Sequence, residues 1–165
     1  MANTLTKIAS VVVGSGGLGT ITFSSIPQTY TDLKIDISAA STYSTYDSLG
    51  MYFNGSQANI SNTFGNGTGS STSSNRSTNR AIATINGTNT ANIFTACSIY
   101  IPNYTISTYK QVLIDVVAEA NSSTAYPSFS AELWSSTAAI TTLSFDTATS
   151  GQNIAQYSVF TLYGI

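Results

Sequence analysis

Apolar and polar residues alternate with a period of two along most of the chain, which is typical of half-buried β-strands. Within residues 32–38, Leu33, Ile35 and Ile37 share one face and charged side chains occupy the other. The same period recurs at residues 49–53, 110–118, 128–135 and 157–165. In residues 128–135 it groups Phe129, Ala131 and Leu133 on one face, opposite Ser130, Glu132 and Trp134. Helical periodicity is nearly absent.

Further short runs rich in Val, Ile, Thr and aromatic residues bring the predicted total to about ten strands, separated by Gly, Asn, Ser and Pro. Even spacing of this kind predicts a β-sandwich or barrel. One-sided alternation favours antiparallel sheets with one packed face. The length of 165 residues is that of one ordinary domain. We therefore predict an all-β fold, a single antiparallel β-sandwich of jelly-roll type over residues 1–165.

One segment interrupts this pattern. Residues 65–80, GNGTGSSTSSNRSTNR, contain no large apolar side chain. Such a low-complexity sequence predicts a flexible loop. We expect it to become ordered against a neighbouring subunit.

Charge is scarce in this protein. Charged residues make up 7% of the chain, against roughly 25% in typical soluble proteins. The surface must consist largely of neutral Ser, Thr, Asn and Gly, and little charge repulsion keeps separate molecules apart. Two classes fit this composition: a protein fixed in an assembly, and an extracellular protein solubilised by hydroxyls and amides.

The charges that are present exclude two kinds of partner. The five basic residues are scattered and the net charge is −2, so no basic patch marks a nucleic-acid or anionic-membrane surface. No apolar run approaches the roughly 20 residues of a transmembrane helix. We predict neither a nucleic-acid nor a membrane partner.

A glycine-rich motif, GSGGLG at Gly14–Gly19, resembles a dinucleotide-binding fingerprint. That chemistry needs a helix directly after the glycines, whose N-terminus holds the pyrophosphate. The β-branched sequence TITFSSIP follows instead. We predict a hairpin turn between two strands, and no cofactor.

Candidate catalytic and metal-binding residues are few. The chain has no histidine and a single cysteine, Cys97, which excludes His-based catalysis and argues against a zinc site. A glycosidase would need two carboxylates across a cleft. Asp32 and Asp36 flank Lys34, and Asp115 shares a strand face with Glu119, patterns typical of solvated faces. We predict no catalytic residue and no metal site, and a buried, apolar role for Cys97.

Tyrosine is abundant, with ten residues. Loop tyrosines combine rigid contact area with a hydrogen-bonding tip, which suits subunit interfaces and sugar stacking. Alternatively, most of them cover the rim of the sandwich. The candidate interface or ligand contacts are Tyr43, Tyr46, Tyr100, Tyr104, Tyr109, Arg76 and Arg80.

A set of stretches spread over nearly the whole chain carries a resemblance to a known group. They are MANTLTKIASVVVGSGG, SSIPQTYTDLKI, MYFNGSQANIS, YIPNYTISTYK, LWSSTAAITTLSF and QYSVFTLYGI. Together they resemble small virion structural proteins of tailed phages, especially phages of aquatic bacteria. The resemblance implies a β-sandwich located in the virion and transfers no catalytic residue.

The sequence thus predicts a virion structural protein and not an enzyme. We expect a homotrimeric capsid decoration, or cement, protein on the capsid surface, whose partners are the major capsid protein and copies of itself. The alternative is a tail fibre or knob module that binds host surface glycan through loop tyrosines.

Overall fold

The computed structural model describes residues 4–120 and 125–165, and every helix or strand within them is a β-strand. The predicted domain range 1–165 therefore includes residues 1–3 and 121–124, which lie outside the described part. The strands are β1 (Thr6–Val12), β2 (Thr20–Phe23), β3 (Leu33–Ala39), β4 (Asp47–Phe53), β5 (Ile60–Gly67), β6 (Thr72–Ser77), β7 (Ala81–Ile85), β8 (Thr95–Ile101), β9 (Lys110–Val117), β10 (Ser128–Trp134), β11 (Leu143–Thr147) and β12 (Val159–Gly164).

The strands form two sheets. The large sheet has the order β1-β12-β3-β8-β9-β10-β5-β6, and the small sheet has the order β2-β11-β4-β7. Every pairing between these strands is antiparallel. The predicted all-β antiparallel sandwich is confirmed.

Strand order shows how the jelly-roll prediction is met. The large sheet contains the order β1-β12-β3-β8, and opposite it lies the small sheet with the order β2-β11-β4-β7. In each set, a strand from the beginning of the chain pairs with a strand from its end, and this pair lies beside two strands from nearer the middle of the chain. This is the eight-stranded double-sheet arrangement of a jelly roll. The other four strands come from two insertions, the β5–β6 hairpin and the β9–β10 pair, which lengthen one edge of the large sheet. We call β9-β10-β5-β6 the extension.

The core lies between the two sheets. Leu33, Ile35 and Ile37 of β3 are buried in it, as their alternation predicts. Phe160 of the large sheet and Phe145 of the small sheet meet with ring centroids 5.4 Å apart. Burial of such side chains stabilises the fold by about 1.5–3 kcal/mol each.

In β10 the buried face is not the face that carries the apolar residues Phe129, Ala131 and Leu133. Ser130, Glu132 and Trp134 are buried, whereas Phe129 and Ala131 are exposed. The reason is the position of Trp134, whose ring stacks on Phe53 of the small sheet at 5.1 Å between centroids. Because side chains alternate strictly along a strand, burying Trp134 turns Glu132 inward and Phe129 outward.

The prediction of a flexible loop over residues 65–80 is wrong. Most of that segment belongs to β5 and β6, which pair from Asn62↔Ser77 to Gly67↔Thr72. The hairpin is closed by a turn in which Thr68 N donates to Ser71 O at 2.9 Å. β6 can form without apolar residues because backbone pairing to β5, which itself pairs with β10, supplies the hydrogen bonds.

The glycine motif is followed by a strand, β2, as predicted, but the predicted hairpin is wrong. β1 pairs with β12 in the large sheet and β2 pairs with β11 in the small sheet. The segment between them therefore crosses from one sheet to the other. Gly16 and Gly17 adopt positive φ values of 89° and 76°, a conformation that glycine adopts without steric cost.

Cys97 is buried on β8 and is not in a disulfide, as predicted. Burial raises the pKa of its thiol to about 12, and the carboxylates of Asp115 and Asp36 add to the rise. Because the thiolate is the reactive form, we expect no labelling by an aromatic disulfide reagent at pH 8 in the native protein. Complete labelling should follow in denaturant. Rapid labelling of the native protein would contradict this buried environment.

Candidate functional site

The inner face of the extension is polar, unlike the inner face of the rest of the large sheet. On β10, β5 and β6, three successive rows of paired residues point toward the small sheet's side. The rows are Glu132, Asn62 and Ser77; then Ser130, Phe64 and Asn75; then Ser128, Asn66 and Ser73. Eight of these nine positions are polar and surround one aromatic ring. We call them the polar grid.

The small sheet covers only part of the polar grid: Glu132, Asn62 and Ser130 are buried, whereas Asn75 and Ser73 are exposed. It ends at β7, whereas the large sheet continues beyond that edge through β5 and β6. A cleft of about 280 Å³ remains between the β5–β6 hairpin, β10 and the edge of the small sheet. Its lining is mainly amide, hydroxyl and small apolar groups: Ser48, Phe64, Asn66, Asn75, Arg76, Ser77, Asn79, Ala81, Ile82, Ala83, Thr84, Ser128 and Ser130.

Several polar groups of the cleft are held in place by neighbours. Ser73 Oγ donates to Asn66 Oδ1 at 2.7 Å. Asn79 Oδ1 accepts from Ala81 N at 3.1 Å, and Ser77 Oγ accepts from Asn79 N at 3.2 Å. These side chains are therefore held in fixed positions, and none of them carries a charge.

Glu132 and Asn62 lie at the inner end of the polar grid and face each other in register. Glu132 is only 1% exposed. Asn62 Nδ2 donates to Ala81 O at 3.0 Å and so links β5 to β7. Within residues 4–120 and 125–165, neither carboxylate oxygen of Glu132 nor Oδ1 of Asn62 has a hydrogen-bond partner.

The two groups complement each other once the acid is protonated. Burial raises the pKa of Glu132 to about 8, a rise that the Asn62 side chain reduces. At neutral pH the carboxyl is therefore mostly neutral and carries an O–H that Asn62 Oδ1 can accept. A buried carboxylate without an ion-pair partner would cost several kcal/mol more than this neutral pair.

Sequence analysis grouped Glu132 with Ser130 on one face of β10 and did not single it out as a site residue. The signal in the sequence was that Glu132 lies two residues before Trp134, the one tryptophan of the chain, and therefore on the same face of the strand. Trp134 and Phe129 lie on opposite faces of β10 and are both large aromatic residues, so this signal alone did not decide which face is buried.

The predicted contact tyrosines fall into two groups at opposite ends of the sandwich. Tyr43 and Tyr46 lie between β3 and β4, whereas Tyr100, Tyr104 and Tyr109 lie at the other end, because Leu33 pairs with Ile101 and Ala39 with Thr95. The structure therefore does not bring these five residues together in one site.

Individual environments separate the tyrosines further. Tyr46 packs edge-on against Tyr126 at 4.6 Å between centroids, and the Tyr100 hydroxyl donates to Asp32 at 2.5 Å. Tyr104 is completely buried and donates to Pro27 O. Its prediction as a contact residue is wrong, because no surface remains for a partner. Tyr109 is 59% exposed, and Tyr43 is half-buried.

The two predicted arginines also differ. Arg80 Nε lies 3.0 Å from Asp146 Oδ1, and its guanidinium carbon lies 5.3 Å from the centre of the Tyr52 ring. Gly50 leaves room for this pair, since a Cβ there would come within 2.7 Å of both Arg80 Nε and Asp146 Oδ1. Arg80 is thus bound within its own chain. Arg76 is exposed on the edge strand β6 and lines the cleft.

A second surface, the β9–β10 part of the outer face of the extension, carries three exposed large apolar side chains. Leu113 and Val117 of β9 and Phe129 of β10 are 45%, 56% and 55% exposed. Phe129 pairs with Asp115, which lies between Leu113 and Val117 on the same face, so the three apolar side chains are neighbours. We call this surface the β9–β10 face. Adjacent exposed apolar side chains are typical of interaction sites.

Among the described residues, no group of three or more Cys, Asp or Glu side chains could hold a metal ion. Within the same ranges, no helix has the length and apolar character needed to cross a membrane. Comparison with protein-family models, curated proteins and solved structures finds no match to this chain.

Proposed function

We propose that this protein is a noncatalytic structural component of a phage virion, a capsid decoration protein that binds the major capsid protein and copies of itself. The observation that carries this proposal is the β9–β10 face. Its exposed Leu113, Val117 and Phe129 would be unfavourable on a free monomer and favourable in a permanent contact. The sequence resemblance supplies the virion context.

Scarcity of charge supports the same proposal. Interfaces exclude lysine and glutamate from their centres because burying an unpaired ion is costly. The β9–β10 face carries one carboxylate, Asp115, and neither Lys nor Arg. Contacts built from apolar and neutral polar groups form at high and low salt alike, because salt screening weakens mainly charged interactions.

The fold is compatible with this role by analogy only. Jelly rolls occur in viral capsid proteins and in lectins, and one fold hosts many functions. The discriminating features are therefore those added to the jelly roll. Both insertions contribute to the extension, and the extension carries the β9–β10 face.

We expect the purified protein to form a homotrimer, with a mass three times that of the 17.3 kDa chain, by light scattering at low and high salt. Phe129→Ser should raise the trimer's dissociation constant at least roughly tenfold, since it removes one buried aromatic side chain from each contact. Val12→Ser is the matched control, because Val12 is exposed on β1 at the opposite edge of the large sheet.

A monomer at every salt concentration would defeat the trimer. A trimer that Phe129→Ser leaves unchanged would show that the β9–β10 face is not the self-contact. In particles, densitometry should find the protein in numbers comparable to the major capsid protein. A copy number far below that would favour the alternative, a tail fibre or knob module.

The alternative function, binding of host surface glycan by a fibre or knob, would have to use one of two separate groups of tyrosines, because the tyrosines proposed for it lie at opposite ends of the sandwich.

A further inference from the structure

We infer that the cleft over the polar grid is a binding site for a neutral saccharide, with Phe64 as the surface on which a sugar ring stacks. This inference does not depend on the capsid role, since the cleft and the β9–β10 face lie on opposite faces of the extension.

The first argument is that the inner face of the extension is polar, although the inner face of a sandwich normally packs in the core. The inner face of β9 is apolar, with buried Val112, Ile114 and Val116. From β10 outward the inner face becomes the polar grid. A sandwich whose second sheet ends at β7 could have capped this overhang with apolar side chains or shortened it. It instead continues through two strands, β5 and β6, of whose inner face only Ile60 and Asn62 are buried, at the end next to β7.

The second argument is chemical. Amide side chains both donate and accept hydrogen bonds, and hydroxyls do the same, so they match the hydroxyls of a sugar. Phe64 lies at the centre of the polar grid, paired with Ser130 on one side and Asn75 on the other. This arrangement places hydrogen-bonding groups around an aromatic face, as a pyranose ring with an apolar face and a polar rim requires.

The third argument concerns groups that remain free. Within residues 4–120 and 125–165, the Asn75 side chain has no hydrogen bond, and its position on the edge strand leaves its amide available to a ligand. The lining contains no carboxylate, so a cationic ligand is disfavoured. Its one cation, Arg76, follows the inward-facing Asn75 in β6, so its side chain belongs to the opposite face of the strand. At about 280 Å³, the cleft is at the small end of ligand pockets, which suits one or two sugar rings.

The test measures binding of glucose, galactose, mannose and N-acetylglucosamine to the full chain by saturation-transfer NMR. We expect at least one of these sugars to bind. Asn75→Ala should weaken that binding roughly tenfold, as expected for a lost hydrogen bond, and Phe64→Ala should weaken it further. Asn89→Ala is the matched control, because Asn89 is exposed and does not line the cleft.

Circular dichroism of each variant checks the fold, and Asn75→Ala keeps the inference testable if Phe64→Ala unfolds. Binding of none of the four sugars would overturn the inference, as would equal affinities for the parent and Asn75→Ala proteins. Binding only of carboxylated sugars, lost in Arg76→Ala, would overturn the neutral ligand class. A change in oligomer mass in Asn75→Ala, with no sugar bound, would assign the cleft to a second copy instead.

Discussion

Between pH 4.5 and pH 8 the free energy of unfolding should fall by up to about 4 kcal/mol, and the Glu132→Gln variant should not show this fall. The pKa of Glu132 is raised by burial from its ordinary 4.5 to about 8 in the folded protein. The folded state therefore holds a proton that the unfolded state has already lost in this interval. Its stabilising effect is complete below pH 4.5, declines as pH rises and is absent above pH 8.

The Glu132→Gln variant separates charge from shape. The glutamine side chain is nearly isosteric with the protonated acid, stays neutral at every pH, and can donate from its amide to Asn62 Oδ1. We expect parent and variant to be similarly stable at pH 4.5, and the variant to be more stable at pH 8.5. Urea unfolding followed by the fluorescence of Trp134, which lies two residues away on the same face of β10, measures both.

Glu119→Gln is the control for removal of one negative charge, because Glu119 is exposed. Its pH profile should follow that of the parent protein. A parent protein whose stability is constant or rises between pH 4.5 and pH 8 would mean that Glu132 is not a buried, neutral acid.

The sequence was sufficient for the fold class because alternation in strands such as β3 is unambiguous. Ile35 and Ile37 are apolar, the residues between and before them are charged, and burial follows directly. The order of strands was not accessible, since it depends on pairings such as β1 with β12 between residues far apart in the chain. The glycines predicted a turn after β1, but they did not indicate which sheet the next strand joins.

The candidate site was inaccessible to pattern analysis for a related reason. β6 consists of Ser, Thr, Asn and Arg, and a strand without apolar residues cannot be distinguished from a loop by periodicity. β6 is an ordered strand because it pairs with β5, which in turn pairs with β10. A cleft that arises because one sheet is wider than the other has no counterpart in local sequence.

Similar composition misled the grouping of the tyrosines. The segments around Tyr43 and around Tyr104 both look like polar, tyrosine-containing turns. The nested topology sends them to opposite ends, because β3 and β8 run antiparallel. Burial of Tyr104 among core residues is a tertiary effect: its ring fills space between sheets while its hydroxyl reaches the carbonyl of Pro27.

Gly87→Ala should destabilise the protein by at least about 3 kcal/mol, the range of the more severe overpacking mutations. Gly87 is buried beside the segment that connects β3 to β4. A Cβ at this position would lie 1.7 Å from Thr45 O and 2.3 Å from Tyr43 O. Both are backbone atoms, so no side-chain rotation relieves the clash and the connecting segment itself must move.

That movement would break bonds that fix this end of the sandwich. Thr88 N donates to Tyr43 O at 2.7 Å, and Ser41 N donates to Asn86 O at 2.8 Å. We expect a fall in melting temperature of roughly 10 °C, given about 2–4 °C per kcal/mol for a chain of this size, measured by circular dichroism. Gly14→Ala is the control, since a Cβ there meets nothing within 4 Å, and it should change stability by no more than about 0.5 kcal/mol. Equal melting temperatures for Gly87→Ala and Gly14→Ala would show that the segment carrying Tyr43 and Thr45 does not lie against Gly87.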